Sequence, residues 1–510
     1  MTTAATASVH ASVALDDIQG IVRFGYKHHT EACFLLLRVR DLLAARQWLA
    51  AAPVASAAAV EPLPATALQV ALTAEGMHAL GVPRHVVDGF SAEFVSGMGS
   101  DASRARRLGD VGSNAPEAWR WGLGARTPHV LLMLYALPGR LNAWQAAIES
   151  ECAAGFDTLA RWPCGDLRNV EHFGFADGIS QPELDWPRAR PAADAEQADY
   201  ANLACLGEFL LGYPNEYGGY TDRPLLDPEQ DPQGLLPRAE DVPGQADLGR
   251  NGSYLVLRQL QQDVPGFWQW LDRQAGGDHE RREQLAACMV GRTRSGVPLA
   301  QATHIGAAMG AAVDLNDFDF NADPRGLCCP LGAHVRRANP RSADLPPGDA
   351  GPLSWLRRTL GFDSQALGQD LVASTRFHRL LRRGREYGRP VPLVEALQKP
   401  STADGGHETG LFFVCLNANI ARQFEFVQSA WLAGTHFNGL ANEADPLLGT
   451  RQATPEGVAT DSFSIPQAHG PDRRLTGLPQ FVTLRGGAYF FLPGLRALRY
   501  LAWAPARGRR

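Results

Sequence analysis

The sequence predicts an α+β protein made of two ferredoxin-like domains with antiparallel sheets. Apolar runs of strand length are each followed by a segment at helical spacing, and this unit occurs four times, twice in each half of the chain. The units do not alternate regularly and long irregular stretches separate them, which disfavours a parallel α/β sheet. A pair of such units with added strands is the ferredoxin-like pattern, here repeated. At 510 residues the chain also exceeds the roughly 250–300 residues that one core sustains.

In chain order, the run 33–39 (CFLLLRV) reads as a strand and 41–49 as the helix after it. Residues 129–135 (HVLLMLY) and 140–149 form the second unit, 253–257 and 267–272 the third, and 410–415 and 420–431 the fourth. Further strands are read at 68–72, 481–484 and 489–492. Composition marks the joints. Residues 187–199 (PRARPAADAEQAD) are polar and rich in Ala and Pro, while 218–249 and 342–351 carry the Pro, Asp and Gly of loops. The expected division is a disordered leader over 1–15, a first domain over 16–186, a linker over 187–200, and a second domain over 201–510.

Charge and cysteine usage narrow the function classes. The 48 Lys and Arg against 54 Asp and Glu give a net charge of −6, with no basic footprint for nucleic acid or an anionic membrane. No apolar run reaches the ~18 residues of a membrane span. Residues 1–13 lack the basic and apolar regions of an export signal. The eight cysteines show no CxxC pair, which suits a reducing cytoplasm, and the adjacent Cys328 and Cys329 read as packing residues. The three arginines at the extreme end (Arg507, Arg509, Arg510) read as a solvated tail.

Three stretches carry candidate chemistry. Residues 327–341 (LCCPLGAHVRRANPR) hold one histidine, His334, in a run bounded by Pro and Gly, so neither plain helix nor plain strand is expected there. A fixed imidazole suits a metal or haem ligand, although a lone histidine is more often structural and arginines after it are usually solvated. Residues 172–182 (HFGFADGISQP) place Asp177 before Gly178 and three after Gly174; Asp-Gly alone is a common turn. Residues 377–388 (FHRLLRRGREYG) crowd Arg379, Arg382, Arg383 and Arg385 together.

Taken in this order, the three stretches resemble the dye-decolourising peroxidase family, and the resemblance runs from Asp16 to Phe491. It implies one haem b per chain, bound in the C-terminal domain with His334 as the iron ligand. It implies Asp177 as the proton shuttle for peroxide, Arg382 as the fixed cation for the charge that develops, and contacts from Arg341 and His378 to the propionates. Gly174 and Gly178 would let the backbone approach the flat macrocycle. A ligating imidazole gives its other N–H to a carboxylate or carbonyl; the family places an acidic partner in the helix 419–428, where Glu425 is the candidate. The activity implied is reduction of hydrogen peroxide with one-electron oxidation of organic reductants such as dyes and phenolics. No residue specifies a homo-oligomer, and none of the 11 Trp and 10 Tyr is singled out as an electron relay. The stretch between His334 and Arg382 is longer than in many bacterial relatives, which implies an insertion. A haem-handling protein with little turnover is the alternative, against which the intact Asp177 and Arg382 argue, since binding alone needs neither.

Overall fold

A computed structural model describes residues 12–166, 168–189, 202–301, 314–341, 375–400, 408–454 and 456–503. Most of the expected leader and linker, the loop 342–351 and the C-terminal arginines lie outside these residues.

The first half follows the pattern of its apolar runs. Strand β1 is Glu31–Val39 and helix α1 is Leu42–Ala51, started where Asp41 accepts the Ala44 N–H at 2.8 Å. Strand β2 is Thr66–Leu72, β3 is Val130–Ala136, α2 is Leu141–Cys152 and β4 is Phe156–Cys164. They pair antiparallel in the order β4-β1-β3-β2, the ferredoxin-like βαββαβ arrangement. Strand β4 has no apolar run to announce it: it lies at the sheet edge, with buried or half-buried side chains alternating with exposed ones.

The second half repeats this order around longer insertions. Strand β5 is Ser253–Gln262, followed by helices α3 (Val264–Ala275) and α4 (His279–Val290) and the short helix α5 (His334–Ala338). A split strand, β6 (Leu381–Arg382) and β7 (Arg385–Tyr387), pairs with β8 (Gly410–Asn417), β8 with β5, and β5 with β9 (Val482–Leu492). The two halves meet where Phe491 of β9 pairs with Leu72 of β2, so all nine strands form one sheet. Helix α6 (Leu495–Trp503) then packs against α1.

Both faces of the sheet are covered, which is why its central strands read as continuous apolar runs. Leu35, Leu37, Val256 and Phe491 share one core with α1, α2 and α6. Phe34, Leu36, Leu257 and Phe490 share the other with loops around Ile21 and Phe209. Two expectations change. The expected strands 481–484 and 489–492 are parts of the single strand Val482–Leu492, whose pairing is bulged between Leu484 and Gly486, and Gly486 is required because a Cβ there would lie 2.4 Å from Nε1 of Trp121. The fourth helix consists of two π-helical stretches, Ala421–Glu425 and Val427–Ala433, with Glu425 donating its N–H to Ile420 five residues back. Among the described residues no helix is long and apolar enough to cross a membrane, and all eight cysteines are free.

Candidate active site

A cavity of about 260 Å³ lies over the second half of the sheet. Leu260 of β5 and Leu411 and Phe413 of β8 form its sheet wall, while Val335 and Ala338 of α5 and Val427 of the π-helical segment line it as well. Strand β8 shows the division in its alternation: Phe412 and Val414 are buried, whereas Leu411 and Phe413 are only half-buried.

His334 lines this cavity as the first residue of α5, so it opens a short helix instead of sitting in the expected irregular loop. The irregular part ends at the extended Ala333. Nδ1 of His334 lies 3.0 Å from Oδ2 of the fully buried Asp445. The other oxygen of Asp445 accepts the N–H groups of Leu447 and Leu448 at 2.9 and 2.8 Å, so the carboxylate is held from both sides. Burial works against charge on His334, but the charge and hydrogen bond of Asp445 outweigh it and hold the imidazole above its ordinary pKa. Asp445 is buried too, yet the charge of His334 and their hydrogen bond keep it below the usual carboxylate range.

Asp445 therefore occupies the place expected for Glu425, and that expectation is corrected. Glu425 lies outside the cavity wall, accepting the Tyr489 hydroxyl at 2.9 Å and pairing with Arg104 at 2.9 Å. The i→i+5 winding gives the cavity to Phe424 and Val427 and turns Glu425 toward the helix Ala102–Leu108. Asp445 did carry a local signal, since an Asp followed by Pro446 and two leucines is a turn-forming arrangement whose side chain caps the next amides.

Asp177 and Arg382 also line the cavity, joined by a 3.0 Å hydrogen bond from Nη1 to Oδ1. Burial pushes Asp177 up, but the charge and hydrogen bond of Arg382, with the Gly178 N–H and the charge of His334, prevail and hold it low. Arg382 is placed by Gln181, whose Oε1 accepts the Arg382 backbone N–H at 3.0 Å, and by its own bond to the Ser180 carbonyl. Its neighbours are not solvated. Arg383 donates to the carbonyls of Ile21 and Val22, and Arg385 to those of Tyr26 and His29, tying the N-terminal loop to β6 and β7. Gly174 and Gly178 have φ of 96° and 72°, a conformation that favours glycine at both, and they flank the cavity-lining Phe175, Ala176 and Asp177.

His378 lies in the cavity wall, stacked on Phe426 at 3.8 Å, with Nδ1 bonded to the Arg422 carbonyl, and burial lowers its pKa to about 4. Arg341 does not reach the wall. It donates to the carbonyls of Asn316 and Phe318 and lies over the Phe318 ring, behind the lining residue Asn316. Arg336 and Arg337 are likewise buried among carbonyl groups, those of Asp323 and Cys329 and those of Trp431 and Glu443.

The donor set indicates what the cavity can hold. Among the described residues no cluster of three or more His, Cys, Asp or Glu could bind a bare metal ion. An ion held through His334 must bring its remaining ligands with it, and an apolar slot suits a macrocycle that does so.

No family model matches the chain. A dye-decolorizing peroxidase of Mycetinis scorodonius is 29% identical over 517 residues, covering 97% of this chain and 89% of its own length. A multifunctional dye peroxidase of Amycolatopsis sp. is 28% identical over 451 residues, covering 85% of this chain and 82% of its own. The crystal structure of a fungal DyP-type peroxidase from Auricularia auricula-judae superposes with a TM-score of 0.71 at 25% identity, over 97% of this chain and 100% of that one. Over nearly its whole length the chain is therefore similar, in sequence and in fold, to dye-decolourising peroxidases.

Proposed function

We propose that this protein is a haem peroxidase that reduces hydrogen peroxide and oxidises organic reductants such as dyes and phenolics in one-electron steps, with one haem b per chain. The observation that carries the reading is the meeting, in one cavity, of the His334–Asp445 pair and the Asp177–Arg382 pair. Mere retention of a cofactor needs only the first pair.

When bound, haem supplies the iron that takes peroxide and stores the oxidising equivalents. His334 would offer Nε2 to the metal because its Nδ1–H donates to the Asp445 carboxylate, a bond that fixes the tautomer and raises the basicity of the imidazole. Asp177 is ionised at neutral pH, so it can accept the proton of the oxygen that binds and return it to the oxygen that leaves. Arg382 holds that carboxylate in place and presents a cation that cannot deprotonate where negative charge develops. His378, neutral at working pH, is assigned to the cofactor's edge. We keep the stretch 187–200 as the proposed joint between the two domains, and a reducing compartment fits eight cysteines of which none is paired.

The test is rapid mixing of haem-loaded protein with hydrogen peroxide. The wild type is expected to change its Soret spectrum within milliseconds to seconds, Asp177→Asn to slow this by about 10²–10⁴-fold, and His334→Ala to lose the normal haem spectrum. A wild type that binds haem yet ignores peroxide would sink the proposal.

A further inference from the structure

Asp177 has no regular secondary structure to hold it, and the residue that holds its loop lies six positions earlier. The Glu171 carboxylate accepts the Phe173 N–H at Oε2 and the Phe175 N–H at Oε1, both at 2.9 Å. Its backbone closes the same turn, donating to the Phe175 carbonyl at 2.9 Å and accepting the Gly174 N–H at 2.8 Å. A fifth bond leaves the loop: Nε2 of Gln262, the last residue of β5, donates to Oε2 at 2.8 Å. The rings of Phe173 and Phe175 are thereby sunk into the core around α3, with Phe173 4.5 Å from Phe267. The chain then leaves this fixed turn through Ala176, bonded to the Arg294 carbonyl, and arrives at Asp177, whose N–H meets the Asn169 carbonyl at 2.8 Å.

We propose that Glu171 is a positioning residue for the peroxide reaction: with Gln262 it clamps the 171–177 turn to the sheet and so fixes the Asp177 carboxylate against Arg382. The inference deepens the peroxidase reading and rests on it. All three side-chain bonds to Glu171 come from N–H donors, so only the carboxylate satisfies them. Burial first, and the charge of Asp177 last, push Glu171 up to about 7 against those donors, so the clamp is complete above neutral pH. A carboxamide in its place would set an NH₂ group against N–H groups and open the turn. Displacing a catalytic group by about 1 Å costs on the order of 10²-fold in rate.

The test is a double-mutant cycle at pH 8, in which Glu171→Gln is made in the wild type and in Asp177→Asn. Acting through Asp177, it is expected to slow the peroxide reaction by about 10–100-fold in the wild type and by less than about twofold in Asp177→Asn. Reaction with the reductant stays unchanged, and Gln262→Leu repeats the pattern more weakly. Hydrogen exchange of the haem-free protein supplies a second readout: exchange rises across 171–178 in Glu171→Gln while β5 stays protected. Equal slowing in both backgrounds, or unchanged exchange in the loop, overturns the proposal. If the wild type itself does not react with peroxide, the functional reading fails, and the exchange experiment alone still decides whether Glu171 holds the loop.

Discussion

Replacing Asp445 by Asn separates the two acidic residues that could support His334. The side chain of Asp445 divides its work, with Oδ1 on the amides of Leu447 and Leu448 and Oδ2 on Nδ1 of His334. An asparagine oxygen that keeps the two amides turns its NH₂ toward Nδ1, which must then accept; the ring proton moves to Nε2, the atom needed for the metal. The flipped amide restores the ligand tautomer but sets NH₂ against two N–H donors. Either way a charge-assisted bond is lost, and removing such an outer partner costs about 10–100-fold in metal affinity, or about 1.4–2.7 kcal/mol. Titration of the haem-free protein with hemin, followed at the Soret band, measures this directly. Glu425→Gln is the control, expected to bind within about twofold of wild type because its partners are Tyr489 and Arg104. Equal losses in the two variants, or none in Asp445→Asn, would refute the assignment.

Two further outcomes follow from the geometry. Without its guanidinium neighbour, Asp177 in Arg382→Leu keeps the burial that raises it and loses the charge that lowers it, so the carboxylate protonates at higher pH. The acid limb of the peroxide pH–rate profile should shift upward and the plateau rate fall by about 10²–10³-fold; an unmoved limb contradicts the pairing. Gly486→Ala drives a methyl group onto Trp121, whose Nε1 donates to Gln259 at 3.0 Å, and should lower stability by about 1–3 kcal/mol in urea unfolding. Unchanged stability would show that the bulge yields freely.

Local pattern revealed what depends on neighbours in the chain. The runs 33–39 and 129–135 are apolar on both faces and became β1 and β3, and three short stretches brought His334, Asp177 and Arg382 to one cavity. What escaped depends on distant partners. Asp445 lies 111 residues from His334, and nothing in a turn-forming Asp-Pro announces an imidazole. Glu425 was reached through the resemblance, which points to a helix and not to a residue, and that helix is π-helical and turns Glu425 toward Arg104. Arg336 and Arg337 read as a solvated edge and Arg341 as a cofactor contact, yet all are at most 1% exposed, because a loop-rich half buries carbonyl groups that no ladder satisfies. Arginine, with five donors in a planar fork, can satisfy several at once.

The position of β9 between β5 and β2 has a consequence for a nascent chain. The first half has all four of its strands once residue 164 has emerged, and it can close its own part of the sheet. The central strand of the second half, β5, pairs on both sides only with strands made later, β8 and β9. At about 5–20 residues per second, β5 waits tens of seconds on the ribosome for its last neighbour. Through that interval an apolar strand with two unpaired edges is exposed, and the finished first half can offer it no partner. Synthesis of the last strand therefore completes the second half and joins it to the first in one event.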